Sequence, residues 1–381
     1  MIKIAIIYKT LPRYRRDFFN GLRDMLAQNS IELLLLYGQP SVRDALKNDT
    51  VDLDWAVKVP SKIFELGHSE FYWQPVLHYL KDVDLVIVEQ ASKLLVNYVL
   101  LLQNLLGIRK LAFWGHGKNF QETSANLLGE WIKRKVSIRV HWWFAYNEMS
   151  ASVVRGIGFP GERITLVQNA IDTHFLTRAL QELTQAQVEK VRLELNLYSS
   201  NVGIYTGGLY PEKRISFLLE SLQIIRSQIP DFEMIFIGGG VDAHLVEEAA
   251  AQHPWIHYVG PKFDSDKIPY YAISKIFLIP FLIGLSILDT FALGTPLVTT
   301  NAVGHGPEIE YLKNNVNGIM VADANNPQVY ADAAILLLEK EEMRQMLVSG
   351  CQTARNVYTV ENMIERFSQG VIKAVKKNDK R

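Results

Sequence analysis

The sequence predicts an α/β protein made of two doubly wound, Rossmann-like domains. Three observations predict it. The chain has 381 residues, too many for one average domain. Short apolar runs alternate with helix-length amphipathic stretches, the pattern of parallel sheets with helices on both faces. The alternation breaks at Gly158-Phe159-Pro160-Gly161 and starts again after about residue 165.

In chain order, the first series of strands includes Ile2–Tyr8, Ile31–Tyr37, Leu85–Glu89, Lys110–Trp114 and Trp143–Tyr146. The second includes Val202–Thr206, Met234–Ile237, Ile256–Val259, Ile276–Ile279 and Leu297–Thr300, with helices such as Ser216–Gln228 and Ala243–Gln252 between them. Continuous apolar runs suit strands buried on both faces. The expected domains are 1–165 and 166–358. A last helix, about Val360 to Val375, and a solvated charged tail complete 359–381.

Composition narrows the function. Hydrophobic residues make up 48% and charged residues 21%, enough apolar material for sizeable cores. Lys plus Arg equals Asp plus Glu at 40 each, which argues against a dedicated nucleic-acid binder. The balance is uneven: Met1–Arg163 carries 21 basic and 16 acidic residues, leaving 19 and 24 for the rest. A basic first half fits an anionic partner, and chance scatter fits as well. Cys351 is the only cysteine, so no intrachain disulfide and no cysteine-ligated metal is expected, and a reducing, cytoplasmic location follows. The opening Met1–Tyr8 reads as a strand, not a signal peptide. Polar residues from Asn97 to Lys110 interrupt the apolar window Leu94–Trp114, which reads as a buried helix and strand.

The sharpest motif is Tyr205-Thr206-Gly207-Gly208-Leu209-Tyr210-Pro211-Glu212-Lys213-Arg214. A strand runs into paired glycines and a turn with two cations. Ligands bind beyond the carboxyl ends of parallel strands. Gly207 and Gly208 let backbone N–H groups approach an anion, while Lys213 and Arg214 suit phosphate oxygens. A surface turn with solvated cations is the plainer reading. Downstream, Gly284, Leu285 and Ser286 open a helix whose free N–H groups could hold phosphate, with Ser286 as its cap. Asp289 could accept ribose hydroxyls or simply favour the helix N-terminus. Gly238 opens a third glycine run, without the dinucleotide Gly-x-Gly-x-x-Gly pattern, which argues against an NAD-linked oxidoreductase.

Together these stretches resemble family-4 glycosyltransferases over nearly the whole chain. Tyr205–Leu222 is similar to their Gly-Arg-Leu-x-x-x-Lys segment. Gly284–Thr300 is similar to the Glu-x7-Glu region and the Gly-x-Pro-Val after it. Gly304–Ile309, Asn317-Gly318, Gln168–Asp172 and Trp114-Gly115-His116-Gly117 match further stretches in register. The resemblance implies a GT-B fold, with two domains facing across a cleft, metal-independent transfer with retention at the anomeric carbon, and no cofactor. It implies that Lys213 binds the donor diphosphate, Asp289 the ribose, and His116 the donor sugar. The last helix would pack on the first domain. Three positions depart from the pattern: Phe281 and Asp289 stand at the paired glutamates, and Gly208 at the arginine. A basic loop, Lys9–Arg16, replaces the family's first glycine loop.

The expected activity is therefore transfer of a hexose from a UDP- or GDP-linked sugar to a glycan or lipid-linked saccharide, in surface polysaccharide biosynthesis. A non-catalytic nucleotide-sugar-binding subunit and a nucleotide-sugar epimerase of the same fold are the alternatives. Arg13, Arg15, Arg16 and Lys118 are the expected acceptor-side cations. Leu127, Leu128, Trp131, Ile132, Lys133, Arg134, Lys135 and Arg139 form a basic, partly apolar stretch. It could lie against an anionic inner membrane face or be an ordinary amphipathic helix. The Asp-x-Asp pairs at Asp52, Asp82 and Asp264 read as turns rather than metal sites.

Overall fold

The structure, a computed structural model, describes residues 1–45, 49–67, 69–117 and 138–377. It divides into two units, Met1–Ile171 with Val360–Arg381, and Asp172–Thr359.

Unit 1 is built on a seven-stranded sheet. Its strands are β1 (Ile2–Thr10), β2 (Ile31–Gly38), β3 (Val57–Val59), β6 (Leu85–Glu89), β7 (Lys110–Gly115), β8 (Trp142–Ala145) and β9 (Ile164–Leu166). The order is β3-β2-β1-β6-β7-β8-β9, and every pairing is parallel. An antiparallel hairpin, β4 (Lys62–Leu66) with β5 (Ser69–Trp73), stands apart. Alternate residues of a strand face opposite sides. So Ile4, Ile6 and Tyr8 of β1 enter one core, with Phe18, Phe19, Trp114 and Phe367. Ala5 and Ile7 enter the other, with Val86, Val88, Leu100 and Trp143. Both faces are covered, which is why β1 and β6 are continuous apolar runs.

Two helices close the first core. Arg16–Gln28 buries Phe18, Phe19, Leu22 and Leu26. Val360–Lys376 buries Met363, Ile364, Phe367, Val371 and Ala374. Their approach is close: a Cβ on Gly21 would lie 2.4 Å from Ile364 Cδ1. Phe367 sits 5.4 Å from Phe18, 4.9 Å from Trp114 and 4.3 Å from Phe144, ring to ring. Burying one such side chain contributes about 2 kcal/mol.

Unit 2 carries a six-stranded parallel sheet. Its strands are β10 (Val202–Thr206), β11 (Glu233–Ile237), β12 (Ile256–Tyr258), β13 (Ile276–Leu278), β14 (Leu297–Thr300) and β15 (Gly318–Val321). The order is β12-β11-β10-β13-β14-β15. Strand order reverses at β1/β6 in one unit and at β10/β13 in the other. Open α/β sheets bind ligands beyond the carboxyl ends of the strands at such points.

The sequence reading omitted β3, the hairpin, β9 and β15. They are three to five residues long, and most of Lys62–Leu66 is exposed. The expected join at residue 165 falls inside β9, which pairs with β8 through Trp143↔Ile164. The break at Gly158–Gly161 is a turn within unit 1. Unit 2 begins at Asp172, whose carboxylate caps the helix Thr173–Gln181 by accepting from Phe175 N at 2.7 Å.

Candidate active site

In unit 2 the chain leaves β10 through Gly207 and β11 through Gly238. These loops touch backbone to backbone. Gly207 N donates to Ile237 O at 3.0 Å, and a Cβ on Gly238 would lie 1.8 Å from Gly207 O. Only glycine fits at Gly238, whose φ is +151°. Tyr205 Oη donates to Gly208 O at 2.7 Å and fixes the next peptide. A Cβ on Gly208 would meet the Tyr210 ring at 2.2 Å. The Tyr210 ring thus fills the room an arginine would need at that position.

A short turn, Pro211–Lys213, then aims Lys213 at the loop following β13. Lys213 Nζ donates to the Leu282 carbonyl. Burial pushes its ammonium down to about 8, against the opposing pull of Glu308 and Glu212. Leu282 (φ +49°) and Gly284 (φ +56°) both adopt the left-handed region, bending this loop into the helix Ser286–Leu293. Lys213 and the segment Gly284–Ser286 therefore belong to adjacent loops at the β10/β13 switch point.

Two expectations need correction here. Arg214 does not join Lys213 on the same loop. Its guanidinium donates to Ala324 O at 2.6 Å and Asn325 Oδ1 at 3.1 Å, and lies 4.4 Å over the Phe217 ring. Its left-handed backbone (φ 58°, ψ 47°) turns the side chain toward the loop following β15. Ser286 is not a cap: it is the first helical residue, and its hydroxyl donates back to Ile283 O. The N-cap residue, Leu285, offers no side-chain acceptor.

Asp289 is buried in the first turn and pairs with Lys267, Nζ to Oδ1 at 2.7 Å. Sequence reasoning missed Lys267, which lies 22 residues before its partner. Phe281, at the position of an expected glutamate, packs edge-on against His305 at 4.6 Å. His305 Nε2 lies 2.8 Å from Thr300 O, and burial pushes its pKa down to about 4. An apolar contact holds the place of a carboxylate.

In unit 1, His116 directly follows β7, with its ring 4.3 Å from Tyr146. Burial, then the Arg15 charge, pushes its pKa down to about 4. It is a neutral imidazole at pH 7. Gln90 Oε1 accepts from Gly117 N at 2.9 Å and pins the loop after it.

One of the acceptor-side cations also needs correction. Arg15 is fully buried, in contact distance of Trp114 (4.8 Å) and Phe18 (5.5 Å). Its Nη1 donates to Met363 Sδ at 3.2 Å. The sequence groups it with Arg13 and Arg16 as acceptor-side cations of the basic loop Lys9–Arg16. Arg16 is exposed beside Asp17, and Arg13 N donates to Asp49 O at 2.6 Å. Lys118 and residues 127–135 lie outside the described residues. Asp52, one of the Asp-x-Asp residues, is taken by Lys58 and Tyr37.

Residues 200–340 match the model of the family described as glycosyl transferases group 1. The chain is 29% identical over 175 residues to spore coat protein SA of Bacillus subtilis, covering 42% of this chain and 45% of that one. It is 24% identical over 213 residues to the D-inositol 3-phosphate glycosyltransferase of Jonesia denitrificans, covering 52% and 48%. The matches thus span about half the length of these relatives. Among solved structures, Anabaena HepE in complex with UDP-glucose superposes with a TM-score of 0.72 at 14% identity, covering 98% of this chain and all of that one. Sucrose-phosphate synthase of Thermosynechococcus elongatus gives 0.69 at 14% identity, covering 97% and 98%. The fold is GT-B. Within that fold, the family match falls on unit 2, where Gly207, Gly238, Lys213 and Asp289 lie.

Proposed function

We propose that the protein is a retaining, metal-independent hexosyltransferase that uses a UDP- or GDP-linked sugar and a glycan or lipid-linked saccharide acceptor, in surface polysaccharide biosynthesis. One observation carries the reading. Lys213, a half-buried cation, is tied to the loop that opens the helix Ser286–Leu293, at the strand-order reversal of unit 2. Breaking the bond from sugar to diphosphate leaves negative charge on phosphate. A fixed ammonium and the backbone N–H groups of Gly284–Ser286 are suited to neutralise it. Asp289, held by Lys267, would accept the ribose hydroxyls. His116, being neutral, would donate or accept a hydrogen bond to a sugar hydroxyl instead of acting as a cation. That HepE was solved with UDP and with UDP-glucose supports a nucleotide-sugar partner. No helix among the described residues is long and apolar enough to cross a membrane. A peripheral contact with the inner membrane face rests on the basic stretch around Trp131.

The test is a panel of UDP- and GDP-sugars, with binding by calorimetry and turnover by product mass. At least one should bind and be consumed. A panel in which none binds would defeat the reading. A second reading, a non-catalytic nucleotide-sugar-binding subunit, is favoured by Phe281 at the carboxylate position and predicts binding without consumption.

A further inference from the structure

We propose that Glu89 is the saccharide-acceptor carboxylate of unit 1, receiving an acceptor hydroxyl on its Oε1; the proposal rests on the glycosyltransferase reading above. Glu89 ends β6, next to β1, so it stands at the strand-order reversal of the unit 1 sheet. Its Oε2 accepts the backbone N–H of Lys9 at 2.5 Å, which fixes the side chain in one orientation. Among the described residues that is the one hydrogen bond the Glu89 carboxylate makes, so Oε1 receives none. The residue is half-buried, so that oxygen is held in place yet not sealed in the core.

Arg15 lies close enough to act on Glu89 by charge, but no ion pair joins them among the described residues. Arg15 is instead a positioning residue. Its fully buried guanidinium leaves Nε and Nη2 without a partner of normal geometry, with the Tyr8 phenol beside it. Its positive charge, with that of Lys9, favours the ionised form of Glu89 against the cost of burial. The other polar groups of this region are Tyr146, Tyr14 and the neutral His116. A fixed carboxylate with the Tyr8 and Tyr146 phenols close enough to feel its charge is a set of groups that binds sugar hydroxyls. Hydrogen bonds from hydroxyl to carboxylate are short and about twice as strong as neutral ones. Burial pushes Glu89 up to about 7, so occupancy should follow its titration.

The experiment titrates maltose and octyl β-D-glucopyranoside into the full chain saturated with UDP. Affinity is read by calorimetry, and contact by the NMR signal of ¹³C-labelled Glu89. At least one saccharide should shift the Glu89 signal and bind more tightly as pH rises from 6 to 8. Glu89→Ala should weaken binding at least tenfold, and the isosteric Glu89→Gln several-fold with a flattened pH dependence. UDP affinity should be unchanged in both variants. A Glu89 signal that no saccharide moves, or variants that bind saccharide as the wild type does, would overturn the proposal. Failure of the wild type to bind UDP would strike the donor reading of unit 2 instead.

Discussion

The carbonyl oxygen of Gly207 occupies the place that a Cβ on Gly238 would take, 1.8 Å away. Two strand-end loops of unit 2 are thereby held at backbone contact. Gly238→Ala must push them apart. We expect a loss of roughly 2–4 kcal/mol of stability by denaturant unfolding, because a side chain is forced into both a clash and a glycine-only conformation. UDP affinity should fall with it. A variant of wild-type stability would mean that the loops separate without cost.

Lys213 is held down to about 8 by burial, so its charge is lost as pH rises through 8. An anion bound beside it stabilises the ammonium and raises that value. UDP binding at pH 8 should therefore take up protons, measurable by calorimetry in two buffers of different ionisation enthalpy. Affinity should decline from pH 7 to pH 9. The sign for stability is the same in origin. The folded value lies below the unfolded one, so the cost of holding the charge is present below pH 8 and fades toward pH 10.5. Lys213→Ala should lower the transfer rate by about 10²-fold or more and abolish the proton uptake.

Arg214 is engaged by Ala324 and Asn325. Arg214→Ala should change UDP affinity by no more than about threefold, since the lost contacts are to the protein, each worth about 1–3 kcal/mol of stability. A hundredfold loss of affinity would show that Arg214 leaves those partners when donor binds.

Transfer activity should survive EDTA. Full loss, restored by Mn²⁺, would contradict the metal-independent chemistry proposed here.

Phe367 packs against Phe18, Trp114 and Phe144. Phe367→Ala should cost about 3–5 kcal/mol of unit 1 stability, through the cavity it leaves among rings that cannot close over it. Unfolding of unit 2, followed by its own probe such as Trp255, should keep its midpoint.

The sheets were legible in the sequence because buried parallel strands are unbroken apolar runs, as in Ile4–Tyr8 and Val202–Thr206. β9 was not: Ile164-Thr165-Leu166 is short, mixed in character, and earns its place only by pairing with β8. The glycine at 238 could be read as a close approach, whereas its contact with Gly207 lies 31 residues away in sequence. Arg15 shows the opposite error. Three arginines in four positions look like a solvated patch, yet the middle one faces Trp114 and Met363 at the start of the helix Arg16–Gln28. Periodicity says which face a residue takes only once the helix start is known. Glu89 carried a signal that could have been used: an acid closing the apolar run Leu85–Val88 ends a buried strand with a charge, which calls for a reason.

The helix Val360–Lys376 completes the core begun by residues 2–28. During synthesis, Trp114 is therefore made 253 residues before Phe367, and Phe18 349 residues before it. Unit 2, contiguous from Asp172 to Thr359, has all of its own strands in hand by then. The core of the unit translated first is thus completed only by a helix made after the whole of unit 2.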